Sequence, residues 1–153
     1  MLRSLQFRPA NHSDIAILHG IRVAAIRQLS ITHLLACDAE EWAGRGGVLR
    51  VERAIANDEV WVALLDAAAV GWIHRSNNSI EGLYVLPQAT RRGVGTALVR
   101  LAEGRIAQTG EQLVVLESSL NAVGFYLRLG YAVCGNPGLS GAVPMSKYHA
   151  AAA

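Results

Sequence analysis

Cysteine is scarce in this 153-residue chain: Cys37 and Cys134 are the only two, far apart and without CxxC spacing. A disulfide framework or a cysteine-built zinc site is therefore not expected. Both side chains read as small hydrophobes, buried or half-buried, in a reducing compartment. Long apolar runs are missing too. None approaches the roughly 20 residues of a membrane span, and the opening MLRSLQFRPANHSD has no signal-peptide core. A cytoplasmic protein is expected. Charge of one sign is also lacking: the formal net charge is +2, and Arg91-Arg92 is the only basic cluster. The broad basic face of a nucleic-acid binder is not foreseen. With no internal repeat, low-complexity linker or shift of composition, residues 1–149 read as one domain. The closing HAAAA is set aside.

What is present is patterned. RSLQFRP reads as a strand ended by Pro9, and NHSDIAILHGIRVAAIRQL as a helix capped by Asn11 or Ser13, with Asp14 in its first turn. DAEEWAG and GVLRVERAIAND suggest a short and a longer helix. EVWVALLD, AVGWIHRS and SIEGLYVLP read as three strands joined by turns at DAAA and at Asn77-Asn78. Helical spacing returns from Gly93 to Thr109. QLVVLES is an apolar run expected to be buried on both faces. LNAVGFYLRLG is a short helix, and YAVCG and GAVPMSKYH are closing strands. The order β-α-α-β-β-β-α-β-α-β-β is not a strict βαβ repeat. It predicts an α+β domain with an antiparallel meander and helices on both faces, an α/β/α layering.

One stretch invites chemistry: LPQATRRGVGTALVRLAE, residues 86–103. A strand that turns sharply into a helix presents about four unpaired amides and the positive end of the helix dipole. Gly93 and Gly95 remove β-carbons beside those amides, Thr96 adds a hydroxyl, and Arg91 and Arg92 add planar donors. A pyrophosphate matches these parts; so does a purely structural glycine turn. A dinucleotide fingerprint wants the motif on the first strand of a βαβ unit, and a P-loop wants G-K-[ST]; neither condition is met.

Two motifs resemble those of the GCN5-related N-acetyltransferase (GNAT) superfamily. TRRGVG, Thr90 to Gly95, resembles its acyl-CoA pyrophosphate loop [QR]-x-x-G-x-[GA], with Thr90 where Gln or Arg is usual. LNAVGFYLRLGY resembles its Asn…Tyr helix, through Asn121, Phe125, Tyr126 and the terminal Gly130-Tyr131. The resemblance implies a mixed, mostly antiparallel sheet of six to seven strands with about four helices, its fourth and fifth strands splayed. It implies acetyl transfer from acetyl-CoA to a primary amine of a small molecule or peptide, by direct attack in a ternary complex. An acyl-CoA-binding regulatory module without turnover is the alternative. The late apolar strands would allow pairing as a homodimer.

The resemblance also assigns residues. Amides from Arg92 to Thr96, including Val94, would hold the pyrophosphate. Backbone groups of Leu83, Tyr84 and Val85 would take the pantetheine arm, with an N–H near Leu83 or Val85 facing the thioester oxygen. Asn121 would bind that arm, beside Phe125, or else cap its helix. Tyr126 would protonate the leaving thiolate, or else merely pack. Glu81, expected on the same sheet face as Leu83 and Val85, is the candidate base or an exposed strand-end acid; His74 is the runner-up. His33, Asp38, Glu40, Glu41 and Trp42 would border the acceptor or form a solvated face.

Overall fold

The computed structural model describes residues 4–29 and 47–149. A seven-stranded sheet runs in the order β1-β2-β3-β4-β5-β7-β6. Its strands are β1 (Leu5–Pro9), β2 (Glu59–Leu65), β3 (Ala68–Ser76), β4 (Ser79–Val85), β5 (Leu113–Ser118), β6 (Ala132–Val133) and β7 (Val143–Tyr148). Neighbours pair antiparallel except β4 with β5, which are parallel. Four α-helices lie among the described residues: α1 (Ile15–Leu29), α2 (Gly47–Asn57), α3 (Val94–Gln108) and α4 (Val123–Arg128). The expected α+β layering and splayed mixed sheet are what is found. DAEEWAG, Cys37, His33, Asp38, Glu40, Glu41 and Trp42 lie outside the described residues.

Two apolar clusters sandwich the sheet. On one face α1 and α2 bury Leu18, Val51 and Ala54 against Val62 and Trp72. On the other, α3 and α4 bury Leu98, Ile106 and Tyr126 against Ile73, Val114 and Met145. Local chemistry sets the joints. Asn11 accepts from the Ser13 amide at 2.9 Å, while Asp14 accepts from the Asn11 amide at 2.8 Å and from Arg8 at 2.7 and 2.8 Å. That reciprocal cap starts the first helical turn and anchors it to β1. The β2–β3 hairpin turns on Asp66 and Ala67, both at positive φ (52° and 69°), the handedness that matches strand twist.

Two expectations need correction. β5 is not buried on both faces: Val114, Leu116 and Ser118 are buried, while Val115 is half-buried and Glu117 exposed. Only the side under α3 and α4 is fully covered there. Cys134 is exposed, because YAVCG forms just a two-residue edge strand before an open loop.

Candidate active site

The sheet comes apart where the motifs converge. β4 and β5 pair only at Ser79–Val115 and Ile80–Leu116. Below that point Asn78 clamps them, its carbonyl accepting from the Val115 amide at 3.0 Å and its side chain donating to the Leu113 carbonyl at 2.9 Å. Above it, Glu81–Val85 and Glu117–Ser118 diverge into a V-shaped gap. On the other edge of β4, the Leu86 amide donates to the Val70 carbonyl at 2.8 Å. Amide direction alternates along a strand, so Tyr84 also turns its N–H to β3, while Leu83 and Val85 turn theirs into the gap. Leu83 and Val85 are thus placed as expected and Tyr84 is not. Its backbone is engaged with β3, and its ring packs on the α1 face, 4.8 Å from Trp72 and under the Arg22 guanidinium.

Glu81 sits where the gap begins, and the strand is irregular there. His74 pairs with Gly82 and Arg75 with Ile80, so Glu81 is the extra residue of a β-bulge. A bulge shifts the side-chain alternation by one. Leu83 and Val85 pack toward α3, whereas Glu81 lines a cleft with His74 and residues of α2 on the opposite face. The expectation that Glu81 shares a face with Leu83 and Val85 is therefore wrong, because it assumed an unbroken alternation. The bulge instead brings the two candidate bases, Glu81 and His74, into one cleft. The His74 imidazole lies 2.8 Å from the Asp58 carboxylate.

At the far end of β4 the chain makes a 3-10 turn, Pro87–Ala89, and then the tight loop. The Thr90 hydroxyl donates to the Pro87 carbonyl at 2.8 Å, so the unexpected Thr90 closes this turn with its own side chain. Arg91 and Gly93 both hold positive φ, 64° and 80°. This is a costly conformation for arginine and an easy one for glycine. α3 starts with no side-chain cap and no acid in its first turn. Its first intrahelical amide is that of Ala97, bonded to the Gly93 carbonyl at 3.0 Å. The amides of Val94, Gly95 and Thr96 therefore point outward without intrahelical acceptors. Val94 offers only its backbone, since its side chain is buried in the core. Arg91 and Arg92 are exposed. Arg100 and Arg105, by contrast, pair with Glu103 and Glu59, so these arginines form no basic face.

The second motif meets the first through packing. A β-carbon on Gly95 would touch the Phe125 ring at 3.4 Å and Val85 at 3.9 Å, whereas nothing lies within 4 Å of one on Gly93. A β-carbon on Gly95 would thus meet that ring at an ordinary contact distance, because α4 leans on the start of α3. Gly93 is the glycine that opens the loop. Asn121 is exposed in a 3-10 turn and caps nothing: Ala122 is the N-cap of α4. Tyr126 is buried, its ring 5.0 Å from Phe125 and 5.6 Å from Tyr131 in edge-to-face contacts. Its hydroxyl has no hydrogen-bond partner among the described residues. Burial, with a smaller effect of Tyr84, pushes the phenol well above its ordinary pKa.

An acetyltransferase (GNAT) domain model matches residues 33–150, most of the chain, including the splayed strands, the loop and the short helix. The chain belongs to the GNAT acetyltransferase family. A GCN5-related N-acetyltransferase structure from Rhodopseudomonas palustris superposes on this GNAT chain with a TM-score of 0.89 at 25% identity, covering 97% of this chain and 98% of that one. The PaiA N-acetyltransferase of Thermoplasma acidophilum, solved in complex with coenzyme A, superposes with a TM-score of 0.79 at 21% identity, covering 95% and 99%. Escherichia coli (strain K12) has a similar protein, the uncharacterized N-acetyltransferase YafP, 29% identical over 130 residues, 85% of this chain and 83% of YafP.

Behind Tyr126 this GNAT domain buries a polar knot that sequence reasoning missed. Glu103, 1% exposed, accepts from the Tyr131 hydroxyl at 2.9 Å, from Lys147 at 2.9 Å and from Arg100 at 3.2 Å. A signal existed: Glu103 shares the buried helical stripe of Val99 and Ile106, where an acid needs partners. Asp58, which orients His74, was missed as well. It lies just outside β2, and only the hairpin register brings it to the end of β3.

Proposed function

We propose that this GNAT domain, residues 1–149, transfers the acetyl group of acetyl-CoA to the primary amine of a small molecule or peptide by direct attack in a ternary complex. The observation that carries the reading is the uncapped start of α3, opening beside the gap between β4 and β5, with α4 packed against both through Phe125. These parts suit the cofactor. The amides of Val94, Gly95 and Thr96, the open side of Gly93 and the exposed Arg91 and Arg92 present donors to a pyrophosphate. Leu83 and Val85 offer backbone groups to the pantetheine arm as an added strand would, and Asn121, exposed in the turn that follows β5, adds a side-chain amide for that arm. When bound, acetyl-CoA supplies an acetyl group activated as a thioester.

The remaining chemistry falls to side chains. An alkylamine is neutral in only about one molecule in a few thousand at pH 7, so attack requires removal of its proton. Glu81, at the mouth of the gap, takes that role directly or through water, with the His74–Asp58 pair as the competing base. The amine nitrogen bonds to the carbonyl carbon, the C–S bond breaks, and an amide N–H near Leu83 or Val85 stabilises charge on the oxygen. Tyr126 protonates the departing thiolate. Burial makes this phenol a weaker acid than in water, but a thiolate released into the same apolar surroundings becomes a stronger base, so the two remain matched.

A thiol-release assay with acetyl-CoA and a panel of amines tests the reading. Turnover that collapses in Tyr126→Phe supports it. Acetyl-CoA binding with no turnover on any amine would establish a regulatory acyl-CoA module instead.

A further inference from the structure

The cleft beside Glu81 carries charges that the chemistry above does not use. Arg50, Arg53 and Asn57 of α2, Asp58 just after it, and His74 and Glu81 of the sheet line it together, around about 490 Å³. That volume suits a small molecule. The three α2 positions recur at helical spacing, so they project to one side. Elsewhere Arg8, Arg75, Arg100 and Arg105 each meet a carboxylate. Arg50 and Arg53 make no ion pair or hydrogen bond among the described residues, and neither does Glu81. The cleft thus holds both signs of charge: two arginines one turn apart share it with two carboxylates and an imidazole.

We propose that the acceptor is a small amine bearing a carboxylate on the same molecule. Its carboxylate lies between Arg50 and Arg53, whose guanidinium groups suit bidentate pairing. Its amine lies toward Glu81 and His74, at the mouth of the gap between β4 and β5. The cleft's two arginines and two carboxylates sum to no net charge. A zwitterion preserves that balance, a dianionic phosphate amine adds negative charge, and a polyamine sets cations against the arginines. This inference rests on the acetyltransferase reading and adds the acceptor class to it.

The test uses thiol release from acetyl-CoA with four probes: an aminocarboxylate, its carboxamide, the matching aminophosphonate and a polyamine. The expected kcat/KM for the aminocarboxylate exceeds that for its carboxamide by about 10- to 100-fold, the scale of one or two charge-assisted contacts. In Arg50→Gln/Arg53→Gln the preference collapses through KM, while acetyl-CoA affinity measured by calorimetry stays at the wild-type value. Equal use of the carboxamide, a preference for the phosphonate or the polyamine, or a carboxylate preference that survives the double substitution overturns the inference and leaves the acetyltransferase reading standing. Acetyl-CoA binding without turnover of any amine overturns both.

Discussion

Replacing Tyr126 by Phe separates chemistry from architecture unusually well in this protein. The phenylalanine ring keeps both edge-to-face contacts, with Phe125 and Tyr131 at 5.0 and 5.6 Å. The lost hydroxyl bonds nothing among the described residues, so its removal orphans no partner there. The folding cost is expected below about 1 kcal/mol. A proton donor to the leaving group contributes about 10²- to 10⁴-fold, or about 3–5 kcal/mol of barrier. Tyr126→Phe should therefore lose that much in kcat, with KM for acetyl-CoA and the urea midpoint nearly unchanged. The pH profile adds a sign. Burial holds this phenol above its ordinary value, so it stays protonated as pH rises through 9, and Tyr126 should impose no basic limb there. The assay is thiol release across pH 6 to 9, alongside urea unfolding. A kcat within about threefold of wild type in a folded variant would refute the role of Tyr126. A basic limb below pH 9 that disappears with the hydroxyl would keep the role and refute the upward shift of the phenol.

Other consequences are equally direct. Gly95→Ala should bind acetyl-CoA nearly as wild type, since its β-carbon makes an ordinary 3.4 Å contact with Phe125, whereas Gly95→Val must push that ring aside and weaken both binding and folding; calorimetry and thermal melts check both. Burial alone would raise the Glu59 pKa, but hydrogen bonds from Arg105, Arg75 and Trp61 outweigh it and bring the carboxyl down to about 2. A depressed folded-state pKa gives stability that is present above the unfolded value near 4.5 and lost as pH falls toward 2, worth about 3 kcal/mol; Glu59→Gln should lose it at pH 7 and show a flatter acid unfolding curve. Lys147→Met leaves the Glu103 carboxylate buried with fewer partners and should cost about 3 kcal/mol in urea unfolding. A cost under 1 kcal/mol would show that Tyr131 and Arg100 suffice.

The parts legible in the sequence were those set by local period and turn chemistry. The β-branched and aromatic residues of EVWVALLD and AVGWIHRS, helical spacing after Gly93, and the two glycine-bearing motifs led to the layered fold and to the gap between β4 and β5. What escaped depends on how elements meet. The bulge at Glu81 exists only in the pairing of β3 with β4, so the strand's own letters suggested the wrong face. Gly95 reads in sequence only as room for a ligand, and the packing of Phe125 beside it, thirty positions later, shows only in the fold. Glu103 finds Lys147 only because β7 lies beside β5. Thr90 departs from the family pattern, and its hydrogen bond to Pro87 shows what the smaller residue does there.

The short seam between β4 and β5 has a thermodynamic corollary. A strand in the middle of a seven-stranded sheet here behaves, over its upper half, like an outer edge: Leu83 and Val85 have amides with no strand to receive them. Such amides exchange with solvent deuterium quickly in an otherwise protected region. A molecule that seats itself as the missing strand ties the two half-sheets together and slows that exchange. Ligand occupancy is therefore coupled to the cohesion of the whole sheet, and apparent stability should climb with the logarithm of ligand concentration. The deuterium uptake of two central amides would then read out cofactor level directly.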